Sequence, residues 1–143
     1  MPVTNYALQL LVQEMFGGVA YSSSATLYVA VSTTTPTQVK GSAPYWNFTE
    51  PSGGAYARVA MTNNGTNFVE VSSPPTNGWE QANGTTITFT TATGAWGTCT
   101  YFGIFDASTA GNLLGFGLLT PSQVISSGGT PSFAVQSLTI LGS

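Results

Sequence analysis

Basic side chains and thiols are scarce in this 143-residue chain, so the few that are present limit the chemistry open to it. The bases are Arg58 and Lys40, the single thiol is Cys99, and histidine is absent. Without histidine, the chain alone cannot build a Ser-His-Asp or Cys-His nucleophile, and it lacks the usual zinc ligands. Cys99 lies among strand residues, where a thiol usually serves as a small buried hydrophobe. We therefore expect no metal and no cofactor.

The acidic residues do not form a recognisable catalytic motif. They are Glu14, Glu50, Glu70, Glu80 and Asp106. Two carboxyl groups at a set separation would suffice for glycoside hydrolysis. However, carboxylates scattered over a domain are usually solvated. The sequence therefore favours a protein that is not an enzyme.

The only arginine, Arg58, lies in the alternating segment "AYARVAMT" (55–62), just after the Gly53-Gly54 pair. A catalytic clamp, an anion site and a structural pin are all compatible with this position. Because acids are so few, we predict that Arg58 pairs with Glu50 or Asp106 and with loop carbonyls. That pairing would hold the Gly53-Gly54 turn against the sheet.

The composition excludes several classes of partner. Charged residues make up 5% of the chain, against about 25% in an ordinary domain. Two bases cannot neutralise a phosphate backbone, so we expect no nucleic acid. The chain has no basic leader and no apolar run long enough to span a bilayer, so we expect no membrane. With 42% hydrophobic residues and a net charge of only -3, it should fold and associate with itself.

The sequence pattern predicts a single helix within residues 1–18, which form an appendage to the main domain. An apolar stripe recurs at i, i+3, i+4 and i+7, and it consists of Leu8, Leu11, Val12 and Met15. Thr4 or Asn5 can cap the start, and the Gly17-Gly18 pair can end the helix in a left-handed turn. A helix this short is marginal alone, so the stripe should pack on the domain or on a neighbouring subunit.

After the helix, the hydrophobic period changes to two. The segments "ATLYVAVST", "AYARVAMT" and "TTITFTT" read as half-buried antiparallel strands. "WGTCTYFGIFD" and "NLLGFGLLT" flank the turn-rich "ASTAG", which predicts a hairpin. "SFAVQSLTIL" changes phase, as a bulge near Ser137 would cause. Segments 39–49 and 68–83 read as long loops. Residues 1–143 thus predict one all-β domain, an antiparallel β-sandwich with one short N-terminal α-helix.

Two sets of residues are candidate contact surfaces. Aromatic and amide side chains cluster in the predicted loops, and these are Tyr45, Trp46, Asn47 and Trp79. Such side chains suit a sugar- or protein-binding face, or they fold back and plug the ends of the sandwich. "NLLGFGLLT" is apolar on both strand faces, so the face around Leu114 and Phe116 needs a cover, either the helix or another subunit.

Four segments, in order, resemble a family of small tailed-phage virion proteins that are commonly labelled tail-fibre proteins. They are "ATLYVAVSTTTPT", "TEPSGGAYARVAMTNN", "ITFTTATGAWGTCTYFGIFDASTAGNLLGFGLLT" and "GTPSFAVQSLTI". The resemblance covers nearly the whole chain. The sequence departs from the family at "VKGSAPYWNF", at "VEVSSPPTNGWEQ" and at Thr100-Tyr101, where the family has Thr-His.

The resemblance implies a virion protein that contacts other virion proteins, either the major capsid protein or tail proteins. Two functions fit. The first is a capsid decoration or cement protein that docks on the particle and stabilises capsomer contacts. The alternative is a tail-fibre or tail-tip module that attaches to host glycan. The absence of heptads, collagen-like triplets and repeats favours the first function. The resemblance and the threefold axes of capsids suggest a homotrimer.

Overall fold

The structure, a computed structural model, describes residues 3–39, 45–71 and 79–142. Lys40 lies outside these residues. The elements follow one another in the order α1 (Asn5–Gly17), β1 (Thr26–Ser32), β2 (Thr37–Gln38), β3 (Trp46–Asn47), β4 (Val59–Thr62), β5 (Phe68–Glu70), β6 (Trp79–Asn83), β7 (Ile87–Thr88), β8 (Gly97–Phe105), β9 (Leu113–Ile125), β10 (Ser132–Phe133) and β11 (Thr139–Gly142). No helix in the described part of the chain has the length and apolar character needed to cross a membrane.

Four strands in the order β4-β1-β8-β9 form the largest sheet within the described residues. Strand β1 is central, because Val29 pairs with Val59 of β4 on one side and with Ile104 of β8 on the other. The smaller sheets are β11-β6-β5, β10-β7 and β2-β3, and their strands are also antiparallel. The predicted all-β fold with one N-terminal helix is confirmed.

The main core lies between the four-stranded sheet and the smaller sheets. Val29, Val31 and Phe102 of the large sheet are buried in one cluster with Ile87 of β7 and Phe133 of β10. Alternation along β1 directs Val29 and Val31 to the same side. The sheets are thus layered around shared apolar side chains, as in a sandwich.

The opposite face of the large sheet is also covered, as the apolar pattern of "NLLGFGLLT" required, but at Phe116 the cover includes Trp46, which is neither the helix nor another subunit. Ala30, Phe105 and Leu113 form a second buried cluster, against which Trp46 and Phe48 pack. The ring centroids of Phe48 and Phe105 are 5.2 Å apart. The prediction that β1 is half-buried is wrong, because residues of the predicted 39–49 loop cover its second face.

Strands β8 and β9 form the predicted hairpin around "ASTAG". Within it, Gly103 is required by a close approach, because a Cβ atom there would lie 2.7 Å from the ring of Phe48. The pairing skips Leu114, since Ile104 pairs with Gly115 and Phe105 pairs with Leu113. This irregularity separates the two candidate contact residues: Leu114 lines an apolar groove, whereas Phe116 packs with the second cluster.

Helix α1 begins and ends as its sequence predicts. Thr4 is the N-cap, and its Oγ1 accepts a hydrogen bond from the backbone N–H of Ala7 at 3.3 Å. Gly18 ends the helix in the left-handed region at φ 64°. Thr4 also fastens the helix to the sheet, because its N–H donates to the carbonyl of Leu114 at 2.9 Å and its Oγ1 donates to the carbonyl of Leu113 at 2.6 Å.

Three loop and strand predictions need correction. β3 lies inside the predicted 39–49 loop, and β5 and β6 lie inside the predicted 68–83 loop. Residues 40–44 and 72–78 lie outside the described part. The final apolar segment is not one bulged strand: β10 pairs with β7 and β11 pairs with β6. A turn with Gln136 at φ 60° separates them, and this turn causes the change of phase at Ser137.

Candidate functional site

Arg58 lies just before β4, and its side chain is 6% exposed. Its guanidinium carbon lies 3.6 Å from the centre of the Phe105 ring. The Arg58 Nε and Nη2 groups donate to Glu50 Oε1 and Oε2 at 2.9 and 2.7 Å, a two-pronged pair. This pairing with Glu50 is the first of the two alternatives that the sequence left open for Arg58.

A tyrosine also binds the carboxylate of this ion pair. The Tyr56 hydroxyl donates to Glu50 Oε1 at 2.7 Å and accepts from the backbone N–H of Val31 at 3.2 Å. Burial, together with the charge of Glu50, raises the pKa of Tyr56 far above its ordinary value. Tyr56 therefore remains a hydrogen-bond donor to Glu50 over the whole physiological range of pH.

The other end of the guanidinium fastens the turn between β8 and β9. Arg58 Nη1 donates to the carbonyls of Ala107 and Ala110 at 2.7 and 2.8 Å. Asp106 is in the same turn, but it accepts from the backbone N–H and the Nδ2 of Asn112, at 2.7 and 2.8 Å. Both of its carboxylate oxygens are therefore occupied without Arg58.

The Gly53-Gly54 turn is hydrogen-bonded directly to residues other than Arg58. Trp96 Nε1 donates to the Gly54 carbonyl at 2.8 Å, and the Thr93 N–H donates to the same carbonyl at 3.0 Å. Arg58 acts on the turn only through its pair with Glu50, which joins the two ends of the segment 50–58 that contains Gly53 and Gly54. The Nη1 group of Arg58 extends in the other direction, to residues 107–110, far along the chain.

Beside this ion pair lies a cavity of about 460 Å³, which we call the arginine pocket. It is lined by Trp46, Phe48, Glu50, Arg58, Phe105, Ala110, Gly111 and Asn112. Aromatic rings form one part of the lining, and the ion pair with the amide of Asn112 forms the other. The volume falls within the range of small-molecule sites.

Only some of the residues that line the arginine pocket were predicted from the sequence as candidate site residues. Of the predicted contact residues, Trp46 lines it, and Tyr45 is exposed nearby and stacks on Tyr6 with ring centroids 6.4 Å apart. Trp46 also packs on Phe116 at 5.1 Å, so it covers the sheet as well. Asn47 is exposed and does not line the pocket.

The remaining predicted contact residue, Trp79, begins β6, and its side chain lies outside the described part. Phe48 and Asn112 were missed. The sequence offered one indication for Phe48: residues two apart on a strand point to the same face, so Phe48 should lie beside Trp46.

A second candidate surface is the exposed apolar side of α1. We call Leu8, Leu11, Val12, Met15 and Phe16 the helix stripe. Leu8 is half-buried, but Leu11, Met15 and Phe16 are 51%, 65% and 81% exposed, and Val12 is exposed too. Of the two packing partners predicted for Leu8, Leu11, Val12 and Met15, the described part of the chain's own domain covers only Leu8, and Phe16, which was not in the predicted stripe, is exposed as well.

Next to the start of α1 lies an apolar groove of about 430 Å³. Its lining includes Val3, Ala7, Leu27, Phe68, Leu114 and Ile140. Large exposed apolar surfaces usually mark contact sites with other proteins. The helix stripe and the groove are therefore two candidate protein-contact surfaces among the described residues.

The described residues hold no group of three or more histidine, cysteine or acidic side chains that would suit a metal ion. Cys99 is fully buried, and burial raises the pKa of its thiol to about 11. The thiolate, which is the reactive form, is thus scarce near neutral pH.

No curated protein matches the chain. Residues 2–141 match the family described as "Podophage GP4 fiber I protein gp80". This match spans the helix, the strands and both candidate surfaces. The chain therefore belongs to this family of phage fibre proteins, and it is a structural component of a tailed-phage virion.

Proposed function

We propose that the chain is a fibre subunit whose copies associate through α1. The exposed helix stripe is the observation that carries this proposal. The described part of the domain leaves Leu11, Met15 and Phe16 exposed. A 13-residue helix gains little stability from its backbone alone, so an apolar partner is needed to hold it. A second copy offers the same stripe, and Glu14 is the only charged residue within α1.

The oligomer we propose is a trimer, in keeping with the family resemblance. Its helices would pack side by side and leave the β-domains outside, where the arginine pocket stays accessible. Other virion proteins then hold the oligomer on the particle. The name of the family supports a place in a fibre rather than on the capsid face.

We also propose that this role involves no catalysis. Two of the five carboxylates, Glu50 and Asp106, have both oxygens engaged by Arg58 and Asn112, respectively. A carboxylate committed in this way is a poor nucleophile or general base.

Light scattering on the purified protein tests the association. The wild type should give a multiple of 14.8 kDa, and Leu11→Asp with Met15→Asp should give 14.8 kDa while the circular dichroism of the strands persists. Val124→Asp is the matched control, because Val124 is an exposed apolar residue at the far end of β9. A wild type that is monomeric at tens of micromolar would contradict the proposal.

Copy number separates a fibre from capsid decoration. The intensity of the subunit band in purified virions, relative to the major capsid protein, should correspond to tens of copies per particle. Hundreds of copies would instead support the decoration or cement function.

A further inference from the structure

We propose that the arginine pocket binds a neutral saccharide, so that each fibre subunit carries a glycan site separate from its association helix. Saccharides present two kinds of surface: hydroxyl groups around the ring and patches of C–H on its faces. The arginine pocket has a matching surface for each. Aromatic side chains supply apolar walls, and three fixed polar side chains supply hydrogen-bonding groups.

The aromatic walls are packed against the sheet in the absence of a ligand. Trp46 is held against Phe116 at 5.1 Å, and Phe48 is held against Phe105 at 5.2 Å. Both rings line the cavity as well. Rings that are already ordered lose little conformational entropy on binding, and this favours a ligand that stacks.

Three polar residues of the lining, Arg58, Glu50 and Asn112, keep hydrogen-bonding capacity that the described residues do not use. Arg58 makes four hydrogen bonds, which leaves one of its five N–H groups, on Nη2, without a partner among the described residues. Glu50 Oε2 accepts from Arg58 alone, so a second lone pair is available. Asn112 commits its Nδ2 to Asp106, and its Oδ1 has no donor in the described contacts.

The free hydrogen-bonding groups of Arg58, Glu50 and Asn112 match the hydroxyl groups on neighbouring carbons of a sugar ring. A carboxylate oxygen and the amide oxygen of Asn112 accept, while Arg58 Nη2 donates. Each sugar hydroxyl can both donate and accept. Because the charges of Arg58 and Glu50 cancel at 2.7 Å, the pocket has no net charge to attract an anion. A neutral hexose or N-acetylhexosamine unit is therefore favoured over a sialic acid or a phosphate.

The test uses the intact protein and three probes: lactose, cellobiose and N,N′-diacetylchitobiose. In ¹H–¹⁵N spectra, at least one probe should shift the side-chain signals of Trp46 and Asn112 in a saturable way across the millimolar range. The indole signal of Trp96, which is hydrogen-bonded to Gly54 in the core, should stay in place. No saturable shift with any of the three probes would overturn the proposal.

Variants locate the site. Trp46→Ala should weaken binding by about tenfold, and Trp46→Phe, which keeps an aromatic wall, should restore most of it. Leu118→Ala, at an exposed apolar residue of β9 outside the pocket, should bind as the wild type does. If Trp46→Ala does not fold, Asn112→Ser keeps the backbone bond to Asp106 and removes the amide oxygen, with a similar loss expected. Wild-type affinity in the folded variants would overturn the proposal.

The site and the association surface can fail independently. Trp46→Ala should keep the oligomer while its affinity for the sugar falls about tenfold. Leu11→Asp with Met15→Asp should lose the oligomer while each subunit binds the sugar with wild-type affinity.

Discussion

The Arg58 side chain makes four hydrogen bonds and one contact with an aromatic ring. It joins Glu50, the ring of Phe105 and the carbonyls of Ala107 and Ala110, which come from distant parts of the chain. In a protein with abundant charge, neighbouring ion pairs would compensate for its loss. Here Arg58 and Glu50 form the one ion pair among the described residues, so no such compensation is at hand.

Replacing Arg58 with Ala should therefore lower the free energy of unfolding by about 2–4 kcal/mol, since Glu50 is left partly buried without its partner. Arg58→Lys should recover only part of this loss, because an ammonium cannot reach Glu50 and the turn carbonyls at once. Urea denaturation measures both changes. Unchanged stability in Arg58→Ala would contradict this structural role, and unchanged stability with a loss of association would show that Arg58 serves an interface instead.

Alkaline pH should destabilise the protein through Cys99. Burial raises the pKa of its thiol to about 11, whereas an unfolded chain releases this proton at about pH 8.5. Stability is fully present below the lower value and falls as the pH rises toward the higher one. Tyr56, whose pKa is also raised, adds to the loss in the same direction.

Urea midpoints measured between pH 8 and pH 11, for the wild type and Cys99→Ala, check this effect. The variant should show a shallower decline. A thiol reagent at pH 8 should modify the native protein far more slowly than the unfolded chain, and equal rates would contradict the assignment.

The residue types in the sequence were enough to suggest Glu50 as a partner for Arg58, because so few acids compete for it. The carbonyls of Ala107 and Ala110 could not be predicted, because any residue supplies a carbonyl. Asn112 was missed for a related reason: its place in the arginine pocket depends on how the turn after Asp106 closes.

At the scale of elements, Thr4 attaches the start of α1 to strand β9. Its hydroxyl donates to Leu113 of β9 and accepts from the first turn of the helix. Thr4→Ala should lower the free energy of unfolding by about 1–2 kcal/mol and reduce the helical circular dichroism signal. Thr4→Ser keeps the hydroxyl and should stay close to the wild type. Equal losses in both variants would assign the effect to the methyl group.

Gly103 sets the distance between β8 and the segment that covers it. A Cβ at this position would lie 2.7 Å from Phe48, so Gly103→Ala should cost about 1–3 kcal/mol of stability. Gly65→Ala is the matched control, because a Cβ there meets nothing within 4 Å. Thermal melts of the two variants should differ clearly, and a stable Gly103→Ala would mean that the Phe48 ring moves freely.

Periodicity predicted the elements whose hydrophobic pattern is long and regular, namely α1, β1 and the β8–β9 hairpin. It also located the shorter strands β4 and β7, which lie within the predicted segments "AYARVAMT" and "TTITFTT". It failed for the short strands that lie within the predicted loops. β3, β5 and β6 carry too few alternating residues to stand out from loops, and they form because partners elsewhere in the chain supply their hydrogen bonds. The separation of β10 from β11 likewise depends on which sheet each joins.

At the scale of the whole molecule, the low charge should make association insensitive to salt. Contacts through the helix stripe bury apolar surface, and salt screens only charges. The mass from light scattering should therefore be the same at low salt and at about 1 M salt, where the Debye length is only about 3 Å. Dissociation at high salt would point to ion pairs instead of the stripe.

The attachment of the N-terminus to β9 has a further consequence, for solubility. Strand β9 is the last strand of its sheet, and such strands can recruit strands of other molecules into aggregates. Proteins often prevent this with lysines on the edge strand, but this chain has a single lysine, Lys40, and it does not lie on β9. Val3 instead bridges to Gly115, and Thr4 occupies the carbonyls of Leu113 and Leu114. The residues that hold the helix thus also block part of an open strand edge against amyloid-like growth.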